Sequence, residues 1–283
     1  MTPTSRRPGL AQELHYEASV RVAQLLRDGE TRRDALLAAA AACAEAHTPA
    51  AAERAAAAVL SRLGIGRRRI TAASGLHHLL ARLDERAGRQ LLTYVVALRE
   101  PVLAAIVTEV LFPYFMERAT PPGMSTEEFS TVNANGLFEV AGAITHAAVA
   151  AYARRRFGVQ DESVTRRALR VLGKGGLLAS AWMSRASARC LGHFPVGGLP
   201  DIGCFAYALY AVYGDDGHVR VDRLRAGLFV RLFLLRPIAV DYLLERARRC
   251  GLVADARSEI ARLPYGSLEA AVAPILHAHR MER

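Results

Sequence analysis

The 283-residue chain is almost without lysine: Lys174 is the only one, so every other residue among its 37 basic side chains is arginine. An arginine- and alanine-rich, lysine-poor composition is what a GC-rich genome produces whatever the function, so this absence by itself excludes little. Cysteine is scarce as well. Cys43, Cys190, Cys204 and Cys250 lie far apart with no CxxC pair, which argues against a zinc module and a disulfide framework and fits reduced thiols in the cytoplasm. Long apolar runs are missing. The two most hydrophobic stretches, Leu91 to Phe115 and Leu224 to Leu244, are broken by Arg99-Glu100-Pro101 and Glu109, and by Arg225, Arg231, Arg236 and Asp241. Neither offers the roughly 18 uninterrupted apolar residues of a spanning helix, so both are expected to be core helices and no membrane partner is expected. The first residues, with Arg6, Arg7 and Pro8-Gly9, lack the apolar core of a secretion signal, and a cytoplasmic location is the expectation.

Enzyme signatures are absent too. There is no HExxH and no Gly-x-Ser-x-Gly. Gly173-Lys-Gly-Gly176 lacks the upstream glycine and the following Ser or Thr of a phosphate-binding loop, and it follows a helix instead of a strand. His77 and His78 should point in different directions on a helix. Asp215-Asp216 reads as a turn, and His277 and His279 as part of a fraying end. No catalytic residue, metal or cofactor is expected, and the chain reads as a non-enzyme.

What is present is helical patterning. Hydrophobic residues make up 52% and charged residues 23%, a globular balance, and apolar residues recur at helical spacing with almost no strand-like alternation. The fold class expected is mostly α, with multi-helical bundle domains and a helix-turn-helix or winged-helix element. Three units are expected: an N-terminal helical domain (1–122), a helix-turn-helix or winged-helix element (123–192) and a C-terminal helical module (193–283).

In the first, helices should span about Leu10 to Arg27, from a Thr31 cap to about Ala46, and from Thr48-Pro49 to near Gly64. Pro101 should open a core helix reaching Phe115. In the second, Ser125-Thr-Glu-Glu128 has the capping-box pattern, a long helix should run from Leu137 to Arg156, and a capped helix should follow Asp161 and stop at Gly175-Gly176. In the third, helices are expected at Ile202 to Tyr213, about 222–234 and about 237–249.

The formal charge of +10 and a pI near 10.0 favour a polyanionic partner. The excess is local: between Arg154 and Arg189 nine basic residues face only Asp161 and Glu162, whereas residues 193–283 carry twelve basic against ten acidic side chains. A helix beginning near Ser163 puts Ser163, Arg166, Arg167 and Arg170 along one side, with Val164, Ala168, Val171 and Leu172 inward. That division suits a recognition helix, with Thr165 and Lys174 assisting and the Gly173 to Leu178 turn opening a wing. It equally describes an ordinary amphipathic helix with a solvated arginine face. Arg67, Arg68 and Arg69, with Arg62 a turn earlier, either clamp phosphates or form a solvated joint. The segment ending at Arg248-Arg249 reads as a packing or protein-contact module.

The order of these segments resembles the BrxA-type helical proteins of bacterial phage-exclusion (BREX) islands over about residues 10–180. The likeness rests on the trihelical start, the arginine-rich joint, Leu91 to Phe115 with its Arg-Glu-Pro interruption, the capped Ser125 to Phe129 turn, and the Ser-Val-Thr-Arg-Arg helix ending in Gly-Gly-Leu-Leu. The resemblance implies a double-stranded DNA binder with a NusB-like helical part and a winged-helix part, acting beside larger defence subunits. Only Ser163 to Lys174 match well enough to carry that role over. A protein-interaction adaptor and a helix-turn-helix transcription regulator remain open alternatives.

Overall fold

The computed structural model describes residues 13–65, 75–118, 144–182, 190–196, 198–256 and 259–281. The chain is mostly helical. Helices α1 (Tyr16–Arg27), α2 (Arg33–Ala42) and α3 (Pro49–Arg62) pack on one another as the expected trihelical unit. Thr48 caps α3 by accepting the Ala51 N–H at 3.2 Å, with Pro49 in the first turn. Thr31 does not cap α2; that helix starts after Arg32, whose extended backbone brings no side-chain cap.

Short α4 (Leu76–Leu80) leads to α5 (Glu85–Arg99), the central helix, buried from Gln90 to Ala97. Its start is fixed by Asp84, which accepts the Ala87 N–H at 2.7 Å. Pro101 opens α6 (Pro101–Ala105), but the expected helix to Phe115 is interrupted by a wider π-helical segment, Ile106–Leu111, before α7 (Phe112–Arg118). The widened turns leave Glu109 exposed, where it accepts a 2.6 Å hydrogen bond from the Tyr152 hydroxyl. The Ser125 capping box and the start of the expected Leu137 helix lie outside the described residues; what is described there is α8 (His146–Phe157).

Helix α9 (Glu162–Lys174) is followed by an antiparallel hairpin of β1 (Leu178–Trp182) and β2 (Cys190–Pro195), pairing Leu178 with Pro195 and Trp182 with Cys190 across a bulge. Then come α10 (Ile202–Tyr213), β3 (His218–Arg220), α11 (Val221–Ala226), α12 (Leu228–Leu232), α13 (Pro237–Arg249), β4 (Asp255–Ala256), β5 (Ile260–Arg262) and α14 (Leu268–Met281). Strands β3, β5 and β4 form an antiparallel sheet in that order, with Val219 opposite Ala261 and Ala256 opposite Ala261 on the other side. The expected helix at 222–234 is divided at Gly227, whose extended backbone separates α11 from α12.

One cluster of buried apolar side chains runs from Leu14 to Ala278 and crosses both expected domain boundaries. Helix α5 lies at its centre, against α9, α10 and α12. His279 corrects the fraying expectation: it is buried, and its Nδ1 lies 2.9 Å from Asp201 Oδ2, with Asp84 Oδ2 3.8 Å from its Nε2. The two carboxylates that cap α10 and α5 therefore converge on one imidazole and hold the last helix in place. The rings of His77 and His78 also depart from expectation, lying 4.0 Å apart instead of diverging. No helix among the described residues is long and apolar enough to cross a membrane.

Candidate nucleic-acid interface

Helix α9 begins at Glu162, just ahead of the Ser163 start that its arginine spacing suggested, because Asp161 supplies the cap. Asp161 accepts the Ser163 N–H at 2.8 Å and the Ser163 hydroxyl at 2.7 Å. These bonds hold the Asp161 carboxyl below its ordinary range, Ser163 being the main cause. The Ser163 hydroxyl also accepts from Arg167 Nη2 at 3.0 Å, so it is spent on organising the helix start. Thr165 is 1% exposed and faces the core with Val164, Ala168, Leu169, Val171 and Leu172. It cannot touch a ligand outside the molecule, which removes it from the expected contact set. Helical geometry explains the error: Thr165 lies two positions from Ser163, about 200° around the axis, on the side the apolar residues claim.

The basic side chains of α9 carry internal partners. Arg166 Nη2 lies 3.1 Å from Glu162 Oε2. Arg170 pairs with Glu13, and Lys174 pairs with Glu45 while lying 3.9 Å from Glu13. Lys174 holds the Glu45 carboxyl low. Arg166 and Arg170 are more than half exposed, and exposed ion pairs contribute only about 0–1 kcal/mol, so a phosphate can exchange with these carboxylates. On the preceding helix, Arg154 and Arg155 are exposed with no ion-pair partner among the described residues, and Arg156 lies 3.5 Å from Glu109.

Arg62 does not belong to a basic surface. It is buried, and donates to the carbonyls of Leu14 at 2.5 Å and Glu13 at 2.9 Å. Burial, with Arg99 nearby, pulls its pKa down to about 10. Its action on the surface is indirect, since it fixes the backbone at Glu13, the residue that neutralises Arg170. Arg67, Arg68 and Arg69 lie outside the described residues.

The segment ending at Arg248-Arg249, expected as a packing or protein-contact module, is a second helix-and-hairpin unit. Helix α9 stops where Gly176 takes φ 75° and the Leu177 N–H returns to Leu172 O at 2.9 Å; α13 stops where Gly251 takes φ 70° and Leu252 N–H returns to Ala247 O at 2.8 Å. Each stop feeds a hairpin. Around α13, residues 218–262 carry ten arginines against five carboxylates, an excess diluted when charge is averaged over 193–283. Arg225 Nη2 lies 2.6 Å from Asp241, and Glu245 takes both Arg248 at 2.8 Å and Arg249 at 3.0 Å. Ile238 and Tyr242, one turn apart, are 77% and 53% exposed, with the Arg246 guanidinium 5.5 Å from the Tyr242 ring. Tyr207 and Tyr210 are core residues.

No group of three or more His, Cys, Asp or Glu side chains among the described residues is arranged to hold a metal ion. Cys43 and Cys204 are free thiols, and burial pushes the Cys204 thiol well above its ordinary range. In comparisons with known proteins no family model matches the chain, and neither a curated protein nor a solved structure matches it.

Proposed function

We propose that the chain is a non-enzymatic double-stranded DNA-binding protein, an accessory subunit of a bacterial phage-defence system of the kind its BrxA-like segment order implies. The observation that carries this reading is the succession over residues 202–262: a helix, a short strand, a helix–turn–helix and a hairpin whose second strand pairs with the first strand, giving the order β3-β5-β4. That succession supports reading the unit as a winged helix, with α13 as the groove-entering helix and β4–β5 as the wing.

The surface chemistry of α13 supports it. Arg236 stands at the helix start and Arg246, Arg248 and Arg249 in its last turn. Ile238 and Tyr242 stand in solvent on the same helix, where apolar side chains suit thymine methyl groups. The second contact is formed by α8 and α9, where Arg154 and Arg155 on α8 and Arg166 and Arg170 on α9 suit phosphates, which position a duplex without reading it.

Fluorescence polarisation of a labelled random duplex, titrated across salt, tests the reading. Log affinity should fall linearly with log salt. Arg166→Ala with Arg170→Ala, or Arg248→Ala with Arg249→Ala, should weaken binding and flatten the slope, by less than about 0.9 for each phosphate no longer neutralised because each of these arginines already carries a carboxylate partner. Failure of the parent to bind duplex near physiological salt, or variants with the parental slope, would overturn it in favour of an adaptor whose arginine face meets an acidic protein.

A further inference from the structure

A groove with no part in the DNA reading lies between α5, α10 and the α11–α12 pair. Tyr94, Ala208 and Phe229 are buried residues at its walls, while Leu98 and Val212 stand at its edge, 46% and 47% exposed. Its volume is about 100 Å³, several-fold below the roughly 300 Å³ where small-molecule sites begin. It therefore suits one inserted side chain rather than an effector molecule. Its aromatic walls are rigidly set, with the Tyr94 ring edge-on to Phe229 at 5.2 Å and to Tyr207 at 6.4 Å.

Two polar features say what should accompany that side chain. Tyr94 is 2% exposed, yet its hydroxyl has no hydrogen-bond partner among the described residues, and the same holds for Tyr213 at the other end of the groove. Neither hydroxyl is among the buried polar atoms left without a partner, so both are open to solvent and to an incoming acceptor. Two cations stand beside the groove, and the carboxylate next to one of them, Asp222, is taken by Arg220. Arg99 follows Leu98 and Arg223 precedes Leu224, both exposed, and each is the cation acting on a neighbouring tyrosine, Arg99 on Tyr207 and Arg223 on Tyr213. Arg99 is partly engaged, donating to Ser61 O at 2.7 Å, whereas Arg223 has no side-chain partner among the described residues. No carboxylate lines the groove; Asp215 and Asp216 lie in the turn beyond the end of α10.

We propose that this groove docks an acidic amphipathic segment of a partner protein, one apolar side chain entering between Tyr94 and Phe229 and flanking carboxylates meeting Arg99, Arg223 and the tyrosine hydroxyls. Aromatic and arginine side chains around an apolar pocket are the composition of interface anchors, and the flanking cations select against basic partners. The site is separate from α9 and α13, so it stands whether or not the chain binds DNA.

The test uses the full chain and two fluorescein-labelled helical peptides, each with leucines one turn apart, one with glutamates between them and one with lysines. The glutamate peptide should bind at least about tenfold more tightly than the lysine peptide, a difference of about 1.4 kcal/mol. Val212→Glu and Arg223→Glu should each lower its affinity by about tenfold or more, the range expected for an anchor position, with thermal melting unchanged and, in Val212→Glu, duplex binding unchanged as well. Tyr94→Phe should weaken it less, and Ile238→Glu, on α13, not at all. Equal binding of the two peptides, no binding of either, or indifference to the groove variants would overturn the proposal. So would a change of sedimentation coefficient in Val212→Glu with peptide affinity intact, which would assign the groove to a second copy of this chain.

Discussion

Gly175→Ala probes how α9 is seated, and two opposing effects decide its sign. Gly175 ends α9 with φ −79° and ψ −2°, a conformation alanine adopts without strain, so by itself the substitution should stabilise by about 0.4–1 kcal/mol through a less flexible unfolded chain. Space decides otherwise. A Cβ at 175 would lie 2.3 Å from Thr93 Oγ1, 2.9 Å from its Cγ2 and 3.0 Å from its Cβ. Thr93 is fully buried on α5 and its hydroxyl donates to Arg89 O at 2.8 Å. As a β-branched residue it has little freedom to turn away, and turning would cost that bond, about 0.5–1.5 kcal/mol. Overpacking of this kind costs about 1–3 kcal/mol, which exceeds the backbone gain. Gly175→Ala should therefore destabilise by about 1–2 kcal/mol, lowering Tm by about 2–4 °C per kcal/mol for a chain near this size. Urea and thermal denaturation of Gly175→Ala, Thr93→Ala and the double variant close the cycle. In the double variant only the Thr93 Cβ stays close, so most of the stability should return, with a coupling of about 1–2 kcal/mol. A Gly175→Ala protein as stable as the parent, or additive single effects, would refute the close packing of α9 on α5.

Arg62→Ala leaves the carbonyl of the fully buried Leu14 without its donor and should cost about 2–4 kcal/mol in urea denaturation; it should also loosen Glu13, raising hydrogen exchange at the start of α1. A loss under about 1 kcal/mol would show that Arg62 does not hold this segment. His279→Ala removes the group joining the caps of α5 and α10 and should destabilise by about 2–3 kcal/mol, with enhanced exchange in α14. Parental exchange there would mean that packing of Ile275 and Ala278 holds the helix unaided.

Where structure followed from neighbours in sequence, the residues announced it. Thr48-Pro49, Asp161 and the Ile202 to Tyr213 helix are set by caps and periodicity within one turn of chain, and all three are found. Thr31 failed because a capping residue needs a backbone turn as well as a hydroxyl, and at α2 that turn is made at Arg32. The sheet of β3, β5 and β4 was missed for another reason. Strands of two or three residues are too short for their alternation to stand out in sequence, and what defines them is pairing between positions some forty residues apart, such as Val219 with Ala261. The site was partly legible. Arginine spacing placed Arg166 and Arg170 on the outer side of α9, but nothing local reveals that Glu13, more than 150 positions away, meets Arg170. The Thr165 error and the exposed face of α13 likewise depend on what packs against each helix.

The carboxylates against α9 make it an ion exchanger loaded with its own counter-ions. A polyanion arriving at Arg170 and Lys174 trades places with Glu13 and Glu45 and frees few ions from solution, so each of these cations contributes less to the salt slope than the roughly 0.9 expected of an unpaired one. The trade also couples to protons. Lys174 holds the Glu45 carboxyl below its ordinary range, so near neutrality Glu45 stays charged and competes for the ammonium. Only when pH falls through that lowered value does it take up a proton and release Lys174, and polyanion affinity at this end of the helix should then rise with acid.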